Sequence, residues 1–150
     1  MGIAKSNKGL CRVYFPEETP FDSALKRDFP DFLFVKDDTS CTDIKKQIEE
    51  YFSGKRTSFD LELDLQCPPF YKKALKEVNK IPFGETVSYK DIAERAGNSK
   101  AVRAAGSANA NNPLPIVIPC HRILNTGGGL GGYGGNLQRK VYLLELEDSL

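Results

Sequence analysis

The 150-residue chain contains one histidine, His121, and no two cysteines at C-x-x-C spacing. That leaves no recognisable zinc pattern, and neither a metal nor a cofactor is expected. The four cysteines, Cys11, Cys41, Cys67 and Cys120, are scattered, and no apolar signal segment is evident. A disulfide framework or a secreted protein is therefore not expected; free thiols in a reducing, cytoplasmic (in a eukaryote, nuclear) setting are. No stretch approaches the roughly 20 apolar residues of a membrane span, so no membrane partner is expected, and a monomer is. Met1 to Ser6 fits a myristoylation pattern, taken here as a chance match to a short motif. Seven glycines lie between Gly127 and Gly135, but no Lys-Ser/Thr follows them and no G-x-G-x-x-G marks a strand-to-helix turn, which excludes the usual phosphate loops.

What is present is enough apolar residue, 40%, for one compact unit or two small ones. Net charge is only +1, but residues 1–66 carry 10 Lys+Arg against 13 Asp+Glu, and residues 67–150 carry 11 against 7. All 11 of those later bases lie between Lys72 and Lys140, opposed there only by Glu77, Glu85, Asp91 and Glu94. Such a bias suits an anionic partner, or a solvated basic face.

In the first half, Leu10–Phe15 and Asp31–Val35 read as strands, with Pro16-Glu17-Glu18-Thr19-Pro20 as a breaker. Ile44, Ile48, Tyr51 and Phe52 follow helical spacing after a cap at Thr42 or Asp43, and Ser53-Gly54 stops that helix. From Phe59 to Leu65 apolar and acidic residues alternate, as in a half-buried strand. The acids there read as a solvated face, and residues 1–66 read as a small α+β unit.

Cys67-Pro68-Pro69 marks the boundary, with Pro69 suited to the first turn of a helix. That helix presents Phe70, Ala74, Leu75 and Val78 inward and Lys72, Lys73, Lys76 and Lys80 outward. Ser88-Tyr89-Lys90-Asp91 has capping-box spacing, and Gly97 suits a left-handed cap. A second helix, Lys100–Ala110, follows a cap at Asn98-Ser99 after a turn of about three residues, a helix-turn-helix pattern. Apart from Arg103 it is nearly without bulk, and Gly106 weakens it by ~1 kcal/mol. Small residues permit close approach, either to a crowded core or to a nucleic-acid groove. Beyond Asn111–Pro115, a stiff turn, the apolar Pro115-Ile116-Val117-Ile118 leads into Pro119-Cys120-His121-Arg122. The glycine-rich loop is read as letting backbone amides approach a flat ligand, with Tyr133 stacking on or lining it. Asn136 caps a last helix whose buried face is expected to be Leu137, Val141, Tyr142 and Leu144. Glu147 opposes that helix's dipole, so it is either solvated or matched to a cation such as an imidazolium.

A thiol becomes a strong nucleophile as thiolate, and an imidazole backed by a carboxylate lowers its pKa from ~8.5. Cys120, His121 and Glu147 supply those groups. Adjacent residues of an extended segment point to opposite sides, so Cys120 and His121 need a bridging water or a turn at Pro119. A buried, inert cysteine beside a core histidine is the alternative.

Pro119-Cys120-His121-Arg122, preceded by Asn112-Pro113, resembles the active-site motif of the O6-alkylguanine-DNA alkyltransferases. The likeness runs over about residues 69–150, through Pro82-Phe83-Gly84-Glu85-Thr86-Val87-Ser88-Tyr89, Ala101-Val102-Arg103-Ala104-Ala105-Gly106, Gly131–Gly135 and Leu143-Leu144. In residues 1–68 it is architectural only. The resemblance implies an α+β fold: a ribonuclease-H-like domain over 1–66, then a winged-helix, helix-turn-helix domain over 67–150 carrying the site. It also implies transfer of an alkyl group from guanine O6 in double-stranded DNA to Cys120, once per molecule.

In that scheme His121 is the base through water, Glu147 orients it, and Tyr89 hydrogen-bonds the guanine ring and crowds its phosphate. Arg103 replaces the flipped-out base, a step costing a few kcal/mol. Its helix, with Ala104, Gly106 and Ser107, lies in the minor groove, ~6 Å wide, and Lys100 and Arg122 also contact DNA. Asn112 is a hinge, and the pocket uses Pro115, Tyr133, Gly134 and the backbone of Cys120 and Ile123. Gly134 replaces the usual Ser or related residue, and Asn109, Ala110 and Asn136 also depart from familiar members. Two other readings stand beside this one: a non-catalytic alkyltransferase-like or winged-helix DNA-binding module, disfavoured by the intact thiol, and a cysteine hydrolase, for which no oxyanion-hole motif is apparent.

Overall fold

The computed structural model describes residues 1–16, 19–134 and 136–150. Glu17 and Glu18 of the expected breaker and Gly135 of the glycine loop lie outside the described residues. Ten elements follow in order: β1 Gly2–Ser6, β2 Gly9–Tyr14, α1 Phe21–Asp28, α2 Thr42–Phe52, α3 Pro69–Val78, β3 Val87–Ser88, α4 Tyr89–Arg95, α5 Val102–Ala110, β4 Ile123–Leu124 and α6 Leu137–Leu146. The fold is α+β. No described helix is long and apolar enough to cross a membrane.

β1 and β2 form an antiparallel hairpin with an irregularity between Ala4 and Lys5. Leu10 is clamped on its other side, its N–H donating to Glu62 O at 2.8 Å and its carbonyl accepting from Asp64 N at 2.9 Å. That single bridge at Leu63 is all that the alternating Phe59–Leu65 stretch contributes to a sheet. The expected alternation survives as burial, Leu65 inside and Asp60 and Glu62 outside, without a paired strand. Asp31–Val35 is not a strand either. No strand among the described residues pairs with it, and Phe32, Leu33 and Val35 are 61%, 100% and 87% exposed.

α2 places Ile44, Ile48 and Tyr51 inside as its spacing demands. Its first residue follows Cys41, and neither Thr42 nor Asp43 caps it. α3 starts with Pro69 at its first turn and buries Ala74, Leu75 and Val78; full burial of Leu75 alone contributes about 2 kcal/mol. One apolar cluster joins Leu10, Val13, Ile44, Ile48 and Leu65 to Leu75, Ile92, Ala105, Ile118 and Ile123. The two halves thus share a core across the Pro68-Pro69 junction.

Ser88 and Asp91 form the reciprocal capping box that opens α4, and Gly97 adopts φ +93° after it. The linker to α5 is longer than expected, running over residues 96–101. Asn98 does not cap α5; its Oδ1 accepts from Lys100 N at 3.1 Å, and the residue before the helix is Ala101. α5 packs on both α3 and α4, burying Ala105, Ala108 and Asn109. Here the small residues serve close helix packing on one face and leave Arg103 and Ser107 exposed on the other.

α6 is rotated from the expected register. Lys140, Leu143 and Leu144 are its buried residues, whereas Leu137 and Tyr142 are 46% and 53% exposed. Asn136 caps it, accepting from Arg139 N at 2.9 Å.

Candidate active site

The segment before Cys120 is a tight turn, not an extended run. Ile118 N donates to Leu114 O at 2.8 Å, and Pro115 bridges Ile118. Ile116 takes φ +75° while 1% exposed. A β-branched side chain in the left-handed region costs about 1–3 kcal/mol, tolerated only where the surroundings impose it. Here its side chain fills an apolar cluster with Tyr51, Cys120, Tyr133 and Leu143. Cys120–Arg122 then form one 3-10 turn, so successive side chains do not alternate in direction.

Immediately afterwards β4 pairs in parallel with β3, Val87 opposite Ile123 and Ser88 opposite Leu124. This pairing sets the start of α4, and hence Tyr89, beside the cysteine turn. Neither strand was expected, because two-residue strands leave no periodicity to read.

Cys120, 3% exposed, and His121, 0% exposed, are interior residues. Glu147, just past the last turn of α6, is the hub behind them. Its Oε1 accepts from His121 Nε2 at 2.8 Å, from Tyr51 Oη at 2.6 Å and from Arg122 Nη2 at 2.9 Å, and its Oε2 accepts from Arg122 Nε at 2.8 Å. An ionised carboxylate only accepts, so the His121 proton sits on Nε2 and Nδ1 carries the free lone pair. Nδ1 is buried with no hydrogen-bond partner among the described residues.

The titration directions fit a base held in its neutral form. Burial would raise Glu147, but the hydrogen bonds from His121, Arg122 and Tyr51 outweigh it and bring the group to about 2. Burial pushes His121 down, with Glu147 only partly opposing. Cys120 departs from the sequence expectation. Burial pushes its thiol up, and Asn112, Tyr133 and Lys140 pull back without reversing the direction. A resting thiol with a neutral imidazole beside it suits proton removal during reaction more than a preformed thiolate.

The remaining expected residues fall into three places. Around the thiol, Asn112 Nδ2 donates to Ile118 O at 2.9 Å while its Oδ1 accepts from Leu114 N at 3.0 Å, pinning both ends of the turn. Tyr133 is buried and interacts with the Cys120 thiol. Tyr89 Oη lies 3.5 Å from Gly132 O, and a Cβ at Gly131 would sit 3.1 Å from that hydroxyl. Gly131 also has φ +66°, so two constraints favour glycine there. Pro115 is half-buried in the turn and Gly134 is exposed.

On the outer face of α5 stand Arg103 and Ser107, with Lys100 exposed just before the helix and Ala104 and Gly106 half-buried. Arg122 is in neither place. Expected at the DNA surface, it is 5% exposed, bound to Glu147 and donating from Nη1 to Ile81 O. The structure makes it an internal counter-ion.

Three side chains were not anticipated. The helical spacing of α2 marks Tyr51 only as a core residue. Asn109 Nδ2 donates to Cys120 O at 3.1 Å. Lys140, 0% exposed, donates to Ile123 O and Leu130 O, and burial lowers it to about 8. The Cys120 and Ile123 carbonyls each accept one of these bonds, and each keeps a second lone pair. A signal existed for Lys140, which lies seven residues before Glu147, two helical turns away on one face.

The arrangement defines a class: a two-part α+β protein in which a helix-turn-helix scaffold carries an interior cysteine served by a histidine-carboxylate pair. Comparison with known proteins gives that class its family. Residues 69–149 match the family model described as 6-O-methylguanine DNA methyltransferase, DNA binding domain, and residues 1–65 match its ribonuclease-like domain. The chain belongs to the 6-O-methylguanine DNA methyltransferase family. A methylated-DNA-protein-cysteine methyltransferase of Mycobacterium tuberculosis (H37Rv) is 48% identical over 103 residues, 69% of this chain and 62% of the relative, so the match spans under two thirds of that protein. One from Methanosarcina acetivorans is 40% identical over 147 residues, 98% of this chain and 90% of the relative. Among solved structures, Mycobacterium tuberculosis OGT in complex with DNA superposes with TM-score 0.84 at 37% identity, covering 98% of this chain and 85% of that one.

Proposed function

We propose that this protein repairs DNA by moving an alkyl group, methyl in the simplest case, from O6 of a guanine in duplex DNA onto Cys120. The Sγ–C bond forms as the O6–C bond breaks. The thiol proton passes through water to His121 Nδ1, Tyr89 gives its phenolic proton to the departing guanine ring so that it leaves as a neutral base, and the imidazolium returns a proton through water to the tyrosinate. The thioether is stable, so each molecule acts once. The observation that carries this reading is the orientation of His121: Glu147 Oε1 accepts the hydrogen bond from Nε2–H at 2.8 Å, leaving Nδ1 as the free base on the residue that follows the interior thiol.

Other features support the rest. A reactive oxygen inside a duplex is out of reach of a thiol 3% exposed, so the base must be flipped out, with Arg103 taking its place in the stack. The bulk-poor face of α5 suits the minor groove, and Asn112 ties the end of that helix to the cysteine turn. The lysines outside α3 and before α5 suit phosphate contacts. The protein is read as working as a monomer in the cytoplasm beside its DNA substrate.

Incubation with duplex DNA containing O6-methylguanine, followed by mass spectrometry, should find one methyl in place of the thiol proton on the Cys120 peptide. Binding without modification would instead indicate a DNA-binding module without chemistry.

A further inference from the structure

We infer that Tyr51, on α2 of the first half, is a positioning residue for alkyl transfer, and that its hydroxyl tunes the Glu147–His121 pair on which the nucleophile depends. The role rests on the alkyltransferase reading.

Tyr51 is 0% exposed and reaches across the shared core. Its ring packs on Phe52, Phe59 and Phe83, at centroid distances of 5.3, 5.6 and 6.3 Å, within the apolar cluster that holds Ile116 and Leu143. Packing alone would be served equally by phenylalanine. The hydroxyl has one short bond, 2.6 Å to Glu147 Oε1, and lies 3.5 Å from His121 Nε2. It can only donate to an ionised carboxylate, and a donor at that distance is charge-assisted.

His121 is faced by four polar groups: Glu147 and Lys140 from α6, Arg122 from its own turn, and Tyr51 from α2. Arg122 fixes the carboxylate plane with two bonds, and Tyr51 holds Oε1 from the opposite element. By drawing charge from Oε1, the Tyr51 hydroxyl weakens the carboxylate's hold on an imidazolium. His121 therefore stays a free base, oriented with Nδ1 available. Without the hydroxyl, Glu147 would stabilise the protonated ring, and the base would be occupied over a wider acidic range.

Tyr51→Phe keeps the ring and leaves Glu147 three other hydrogen bonds. Transfer from free O6-benzylguanine, which needs no DNA contact, should fall about threefold on the acidic side of its pH profile and by less near neutrality. The acidic limb of its pH profile should move up by about half a unit. Phe59→Leu, which loosens the ring packing but spares the hydroxyl, should lower the melting temperature without moving that limb. His121 is the chain's only histidine, so its ring resonances can be followed by NMR without assignment; in Tyr51→Phe they should titrate at higher pH. A variant with the wild-type rate and acidic limb overturns the role. Should the wild-type protein transfer nothing, the alkyltransferase reading falls, and the His121 titration alone judges Tyr51: a curve indifferent to the substitution overturns the inference.

Discussion

Residues 1–66 and 67–150 differ in formal charge, −3 against +4, and differ as much in what they do with apolar and polar side chains. The first half leaves Phe32, Leu33 and Val35 in solvent and builds its sheet from one hairpin and a single bridge. The second half buries a histidine, an arginine, a lysine and a glutamate, groups that are expensive to desolvate unless fully paired. The most exposed carbon lies in the first half, and the buried charge lies in the second, the half proposed to carry the chemistry. Tyr51 is where the two meet.

The sharpest way to break this contrast is Cys120→Ser. It should abolish the alkyl-protein adduct while leaving binding to alkylated duplex intact, checked by mass spectrometry and gel shift. Glu147→Ala should come next. It strands Arg122 in the interior, where breaking a buried pair costs about 3–5 kcal/mol, read by chemical denaturation, and it removes the His121 partner as well.

Acid should act through the same group. Glu147 titrates near 2 in the folded chain against 4.5 in its ordinary state. The unfolded chain therefore binds the proton first, and stability present above about pH 4.5 is lost as pH falls towards 2, of the order of 3 kcal/mol in all. His121, held below its ordinary 6.5, works in the same direction from a higher pH. Thermal melts across this range should show a slope that flattens in Glu147→Gln.

Arg103→Ala should slow transfer from duplex DNA by about an order of magnitude, since it leaves the cost of an extruded base uncompensated, while transfer from free benzylguanine stays near wild type. Equal losses on both substrates would remove the finger role. The smallest effect belongs to the first half: Leu33→Ser, fully exposed, should change stability by less than about 0.5 kcal/mol and leave both reactions unaltered.

These regions also differed in how far they could be read from the chain alone. α2, α3, the α4 capping box and the Asn136 cap follow from spacing and local hydrogen bonding, which are short-range rules. Asp31–Val35 has strand composition but no partner, and Phe59–Leu65 alternates but pairs at one residue; pairing is a long-range property that composition does not encode. The α6 register departs from the spacing because Lys140, polar by type, finds two carbonyls within. Cys120, His121 and Glu147 were legible from residue type and motif. The burial of Arg122 was not, since its partner lies 25 residues away, nor was the part of Tyr51, 96 residues from Glu147.

That last separation bears on how the molecule comes to be active. Closing a long loop is entropically costly, and contacts remote in sequence tend to form late in folding. The bond from Tyr51 to Glu147 spans nearly two thirds of the chain, and His121 and Arg122 arrive at the same carboxylate from a third place. A refolding experiment should therefore recover helix content before it recovers alkyl-acceptor activity. Molecules caught between the two stages would carry a cysteine with no base to serve it.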